Sequence, residues 1–203
     1  DHPLCLRCLH TLPHTGFAPF RDNPIEKLFW GRIPVEAAHS ECYFAKEFLL
    51  QHLIHQLKYK GNQEIGLYLG KLTGRSLLNS NRFQSPDAII PLPLYPDKER
   101  KRGYNQAAVI AKGISSVLQV PVWNQVVIRS HATETQTRKQ RTERWENVTR
   151  SFRVTDYDKL AGKHLLLVDD VITTGATLEA CGEAILEIPG TQLSIAALAY
   201  APK

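Results

Sequence analysis

The residues with the clearest chemical signature run Leu165-Leu166-Leu167-Val168-Asp169-Asp170-Val171-Ile172-Thr173-Thr174-Gly175-Ala176-Thr177. Four apolar residues lead into two carboxylates, and a stretch of hydroxyls and glycine follows before a helical pattern begins. An apolar strand would deliver Asp169 and Asp170 at its C-terminal end, where open α/β sheets place their ligands. Thr173, Thr174, Gly175, Ala176 and Thr177 then open a helix whose free N–H groups and positive end suit a phosphate. Gly175 lets the backbone approach that anion closely, and the three threonines add hydroxyl donors. Two carboxylates beside such a cradle are acceptors fitted to a sugar diol. A phosphate one sugar's width from two hydroxyls describes a ribose 5-phosphate. The competing reading is a strand–turn–helix with capping threonines and an acidic pair in a solvated turn. No Gly-Lys-Ser/Thr completes a Walker A loop here, and GxGxxG is absent, which sets those two nucleotide motifs aside.

Charge points to the same kind of ligand. The 203 residues carry a net charge of +5 and a pI near 9.0, enough for a phosphate-rich partner. In segment 97–102, Lys98, Arg100, Lys101 and Arg102 outweigh Asp97 and Glu99 by two. In segment 129–153, Arg129, Arg138, Lys139, Arg141, Arg144, Arg150 and Arg153 outweigh Glu134, Glu143 and Glu146 by four. These two segments hold all of the excess, and the rest of the chain stands at −1. A basic run alone is commonly a solvated face; two of them flanking a phosphate motif argue for anion contact.

Positioning such residues needs a regular frame, and the pattern supplies one from about Val35. Ala37–Phe44 reads as a strand. Lys46–Tyr59 and Ile65–Leu78 read as helices, with Leu49, Leu50, Leu53, Ile54 and Leu57 on the buried face of the first. Ala88-Ile89-Ile90 is a short apolar strand ended by Pro91-Leu92-Pro93. A basic turn and Gly103 precede a helix over Tyr104–Leu118. Val120–Ile128 is rich in β-formers, and 129–150 lacks a core stripe, so it reads as a long functional excursion. Strand His164–Asp169, helix Ala176–Glu187 and strand Ser194–Tyr200 complete the order. Strands alternating with helices, with buried rather than alternating strand patterns, predict a mainly parallel α/β sheet.

Residues 1–34 are rich in Pro, His and Cys and have poor periodicity, so they read as a small irregular appendage to a domain over 35–203. The chain opens Asp1-His2-Pro3 and contains no Met, which reads as a trimmed start. Cys5-Leu6-Arg7-Cys8 is half of a tetrahedral zinc site, which His2, His10 or His14 could extend. Cys42 and Cys181 stand singly, Cys181 as a packing residue. No apolar run approaches the roughly 18 residues of a membrane span, and no secretory signal opens the chain. The sequence reads as that of a cytoplasmic protein.

The run at 165–177 resembles the phosphoribosyl pyrophosphate (PRPP) signature of type I phosphoribosyltransferases. Three further segments narrow the likeness: Ile54-His55-Gln56-Leu57-Lys58-Tyr59-Lys60-Gly61; Pro91-Leu92-Pro93 with Arg102-Gly103-Tyr104-Asn105-Gln106-Ala107; and Arg129, Thr135, Gln136, Arg144 and Asn147 running to Phe152. Together these resemble the ComF family of competence proteins over roughly residues 35–200. The resemblance implies a type I phosphoribosyltransferase-like sheet flanked by helices, behind a zinc-ribbon-like remnant whose ligands here are Cys5 and Cys8. It implies PRPP or ribose 5-phosphate as ligand, bound with Mg²⁺, and a role in natural transformation and DNA uptake. Asp169 and Asp170 would be the catalytic acids, and residues 173–177 the 5′-phosphate loop. Arg100, Lys101 and Arg102 would form a basic loop at the pyrophosphate, and Arg138, Lys139, Arg141 and Arg144 a lid. Phosphoribose transfer to an unnamed acceptor, PRPP sensing without turnover, and binding of single-stranded DNA alongside other competence proteins all remain open readings.

Overall fold

The computed structural model describes residues 3–44, 49–83, 86–130 and 151–202. At its centre lies a four-stranded parallel sheet in the order β1 (Ala37–Tyr43), β6 (Gln192–Tyr200), β5 (His164–Ile172), β2 (Ala88–Pro91). Strands buried on both faces are largely apolar, and Leu165 to Val168 and Leu193 to Ala199 are accordingly almost wholly enclosed, while β1 also buries His39, Ser40 and Glu41. The alternation of strands and helices therefore produces the α/β architecture expected of it. Chain order adds α1 (Leu6–His10), α2 (Pro24–Lys27), α3 (Leu49–Tyr59), α4 (Gln63–Leu78), α5 (Pro96–Arg102) and α6 (Gln106–Leu118). After these come a small antiparallel pair, β3 (Val127–Arg129) with β4 (Phe152–Val154), then α7 (Tyr157–Leu160) and α8 (Ala176–Leu186).

The sheet divides the core in two. Leu165 and Leu167 point to the side of α8, Phe29 and Phe152. Leu166 and Val168 point to the side of α3, α4 and α6. On the second side α4 and α6 touch backbone to backbone: a Cβ at Gly70 would collide with the carbonyl of Ile110, and one at Gly113 with that of Leu67.

Two segments differ from the sequence expectation. The basic turn at 97–102 is a helix, α5, begun by Pro96 and closed by Gly103 at φ 81°. Asp97 and Glu99 sit in its first turn and Arg100, Lys101 and Arg102 in its last, the arrangement the helix dipole favours. Residues 3–34 include two short helices, and Leu4, Leu12, Ala18, Ile25, Phe29 and Ile33 of this segment are buried within both halves of the core. Asn23 caps α2 through Ile25 N–H (2.9 Å) and donates to Ala38 O (2.9 Å), while Arg82 pairs with Glu26 at 2.6 Å.

Candidate functional site

β2 ends at Pro91, opposite Val168 of β5, and β5 runs on through Asp169 and Asp170 beside β6. The two carboxylates therefore stand at the C-terminal edge of the sheet, past the end of one neighbour. Successive residues of a strand face opposite ways, so Asp169 continues the Leu165–Leu167 side and Asp170 the Leu166–Val168 side. Asp169 accepts the N–H of Asp170 at 2.7 Å. Burial, with the charge of Asp170 alongside, pushes its carboxyl up to about 7, against the opposing pull of Lys58 and Arg129. Asp170 is ion-paired to the Lys58 ammonium at 2.9 Å. The acids are thus not a simple pair aimed at one diol; they bracket the strand edge, one on each face.

Beyond Ile172 the loop turns sharply. Thr173 and Thr174 are exposed, and Gly175 takes the left-handed conformation (φ 77°, ψ −6°) as the N-cap of α8, without a side-chain cap. The first helical bond is Glu179 N–H to Gly175 O at 2.9 Å, and Ala176 N–H finds only the Thr174 hydroxyl at 3.4 Å. The start of α8 therefore presents backbone donors and a positive helix end beside Thr174 and Thr177, an anion cradle of the kind the sequence predicts.

The loop is braced from a part of the chain that sequence reasoning left outside the site. Arg32 donates through Nε to Glu179 (2.8 Å) and through a terminal N–H to the other oxygen of the same carboxylate, forming a bidentate pair. Its remaining nitrogen donates to Leu28 O (2.8 Å) and Thr174 O (3.0 Å). The Phe29 ring lies under Gly175, where an added Cβ would come within 3.1 Å of it. Lys58, in the segment Ile54–Gly61, likewise has no site role that the sequence alone assigns.

α3 ends against the α5–α6 corner. The Tyr104 hydroxyl donates to Leu57 O, and the Arg102 guanidinium lies 5.4 Å over the Tyr59 ring. Arg102 is therefore held at the end of the helix that carries Lys58. Arg100 pairs with Asp97 of its own helix, and Lys101 is exposed. Arg138, Lys139, Arg141 and Arg144 lie outside the described residues.

Cys5 and Cys8 lie together at the start of α1, where Cys8 donates to Cys5 and holds the Cys5 thiol below its ordinary range. Among the described residues no cluster of three His, Cys, Asp or Glu side chains forms, so the thiol pair supplies half of a tetrahedral zinc set and the described residues do not fit a complete one. Cys181 is fully buried, as a packing residue should be. Among the described residues no helix is long and apolar enough to cross a membrane.

The phosphoribosyl transferase domain model matches residues 105–203, from the first turn of α6 through the phosphate loop to the end of the chain. Competence protein F of Haemophilus influenzae is 31% identical over 156 residues, covering 75% of this chain and 68% of that protein. The DNA utilization protein YhgH of Shigella flexneri is 34% identical over 140 residues, covering 68% of this chain and 61% of its own length. This chain thus spans about three fifths of that relative. Glutamine PRPP amidotransferase from B. subtilis superimposes with a TM-score of 0.48 at 16% identity, over 70% of this chain and 30% of the other. With β5, its acids and the loop into α8 inside the matched region, the chain belongs to the ComF family of competence proteins, built on a phosphoribosyltransferase domain.

Proposed function

We propose that the chain binds PRPP at the C-terminal edge of the sheet and serves DNA uptake or use by transferring its phosphoribose to an acceptor. The observation that carries this reading is the Gly175 N-cap: a left-handed, uncapped helix start lies directly after two acids on a central parallel strand. In it, the 5′-phosphate sits on the N–H groups at the start of α8 and on Thr173, Thr174 and Thr177. The ribose lies across the end of β5, with Asp169 and Asp170 approaching from its two faces. Departure of pyrophosphate from the anomeric carbon passes through an oxocarbenium-like state. The chain's share in that step is to hold the sugar rigidly, exclude water and stabilise the leaving anion with nearby cations. Lys58 and Arg102, fixed at the end of α3, are the described cations suited to that role, ahead of the outward-facing Lys101.

Mg²⁺ would neutralise the pyrophosphate charge. Since the described residues form no acidic or histidine cluster, the donor set suits a Mg²⁺ held mainly by ligand oxygens and water. Single-stranded DNA is a second partner in this reading. The relatives are named for competence and DNA utilization, and α5 presents an exposed basic last turn apart from the phosphate loop.

Isothermal titration of the folded protein with PRPP and Mg²⁺ tests the reading. Saturable binding is expected, with loss of binding in the double variant Asp169→Asn/Asp170→Asn. Unchanged affinity in a folded double variant would overturn the site.

A further inference from the structure

A second concavity lies outside the phosphate loop. It is a cleft of about 440 Å³ between the α5–α6 corner, α6 and the segment leading into β3. That is within the range of small-molecule sites. Its lining combines apolar surface from Pro93, Leu94 and the Tyr104 ring with the polar groups of Glu99, Lys112, Gln125 and Arg129.

Arg129 is the unusual member. Its guanidinium is held between two rings, 3.9 Å from the Tyr95 centroid and 4.9 Å from that of Phe152. Its Nε is buried without a hydrogen-bond acceptor. A buried donor left unpaired is disfavoured in a native fold unless something completes it. The rings fix the guanidinium plane, so its fork is pre-oriented for a planar, two-oxygen partner. The same side chain is near enough to Asp169 for its charge to act on that carboxyl, which places the cleft beside the proposed ribose position.

We propose that this cleft is the acceptor pocket and that it takes a small planar carboxylate, gripped by Arg129 with Lys112 as a second cation. The word acceptor rests on the phosphoribose reading; recognition of the carboxylate does not. The apolar surface covers the flat face of the ligand, Gln125 offers its edge a hydrogen bond, and Arg129 sets the orientation.

Binding of benzoate and nicotinate, each against its carboxamide, is measured by ligand-observed NMR on the full chain, with and without PRPP and Mg²⁺. The carboxylates should bind saturably and at least tenfold more tightly than the carboxamides, about 1.4 kcal/mol. Arg129→Gln should abolish that preference. Lys112→Ala, an exposed position that leaves the core untouched, should weaken carboxylate binding without altering PRPP affinity. Equal or absent binding of carboxylate and carboxamide refutes the pocket. So does mutual displacement between carboxylate and PRPP, with both lost together in Arg129→Gln, because the cleft would then belong to the pyrophosphate. If the carboxylates bind as expected and PRPP fails to bind wild-type protein, the carboxylate site stands and the phosphoribose reading falls.

Discussion

Replacing Gly175 by alanine tests the geometry on which the site depends. At φ 77° the backbone occupies the left-handed region, where a Cβ costs about 1–2 kcal/mol. The new methyl would also lie 3.1 and 3.2 Å from two atoms of the Phe29 ring. Phe29 is 1% exposed, so the ring can give way only by disturbing its neighbours. Overpacking of this kind costs about 1–3 kcal/mol, and the small shift needed here points to the lower end. The sum is about 2–3 kcal/mol, and a domain of this size loses about 2–4 °C of Tm per kcal/mol, so a fall of about 4–12 °C is expected. Thermal denaturation followed by circular dichroism measures it. Phe29→Leu opens space under the loop, so its own penalty should be smaller in the Gly175→Ala background than in the wild type, a positive coupling in a double-mutant cycle. A Gly175→Ala protein whose Tm stays within about 1 °C of wild type would refute both the left-handed cap and the close ring.

Three further outcomes are expected. Lys58→Ala leaves the Asp170 carboxylate uncompensated and should destabilise by up to roughly 3 kcal/mol, while the double change with Asp170→Asn should recover most of it in chemical denaturation. His14 donates to the buried Glu41 at 2.8 Å, which raises the imidazole above its ordinary 6.5. That contribution is therefore complete below pH 6.5 and is lost as pH rises through the raised value, so His14→Gln should remove part of the alkaline fall in Tm. On the acid side Glu41, held down at about 2 by His14 and His39, stabilises above its ordinary 4.5 and loses that contribution as pH falls toward 2. Single-stranded DNA should bind with a slope of log affinity against log salt of about −2 to −4, a few phosphate contacts at roughly −0.7 each. Fluorescence anisotropy should show that slope flattened when Arg100, Lys101 and Arg102 become alanine; an unchanged slope would remove α5 from the interface.

The frame and the strand–turn–helix at 165–177 are legible in the sequence because their signals are local. Uninterrupted apolar runs mark buried parallel strands, and the order acid-acid, hydroxyl, glycine, helix marks the cradle within thirteen residues. α5 has local signals too, Pro96 as its first residue and Gly103 after it, but its lack of any apolar stripe makes it read as a turn, and no residue of it is buried. Periodicity reports packing, and a helix that packs nothing is invisible to it. The N-terminal residues escape for the opposite reason: Leu12, Ile25, Phe29 and Ile33 are buried one at a time from short helices and turns, so no period develops. Lys58 and Arg32 escape because their partners lie 112 and 147 residues away, and nothing local encodes such a pairing.

Arg32 also resolves an electrostatic conflict within the phosphate loop. Glu179 lies in the first turn of α8 and is 4% exposed. An acid there is favourable to an empty helix end, but it opposes a second anion arriving at the same N–H groups. The bidentate pair with Arg32 cancels that charge, and the further bond to Thr174 O ties the neutralising group to the loop itself. With Glu179 neutralised, the positive end of α8 is left free for the phosphate proposed to bind there. Residues 28–32 therefore act on the site in two ways: Phe29 sets the shape of the loop through Gly175, and Arg32 sets its charge through Glu179. A change that loosens this segment should weaken phosphate binding without touching a residue that contacts phosphate. The loop of the 165–177 motif is thus braced by the segment that precedes β1.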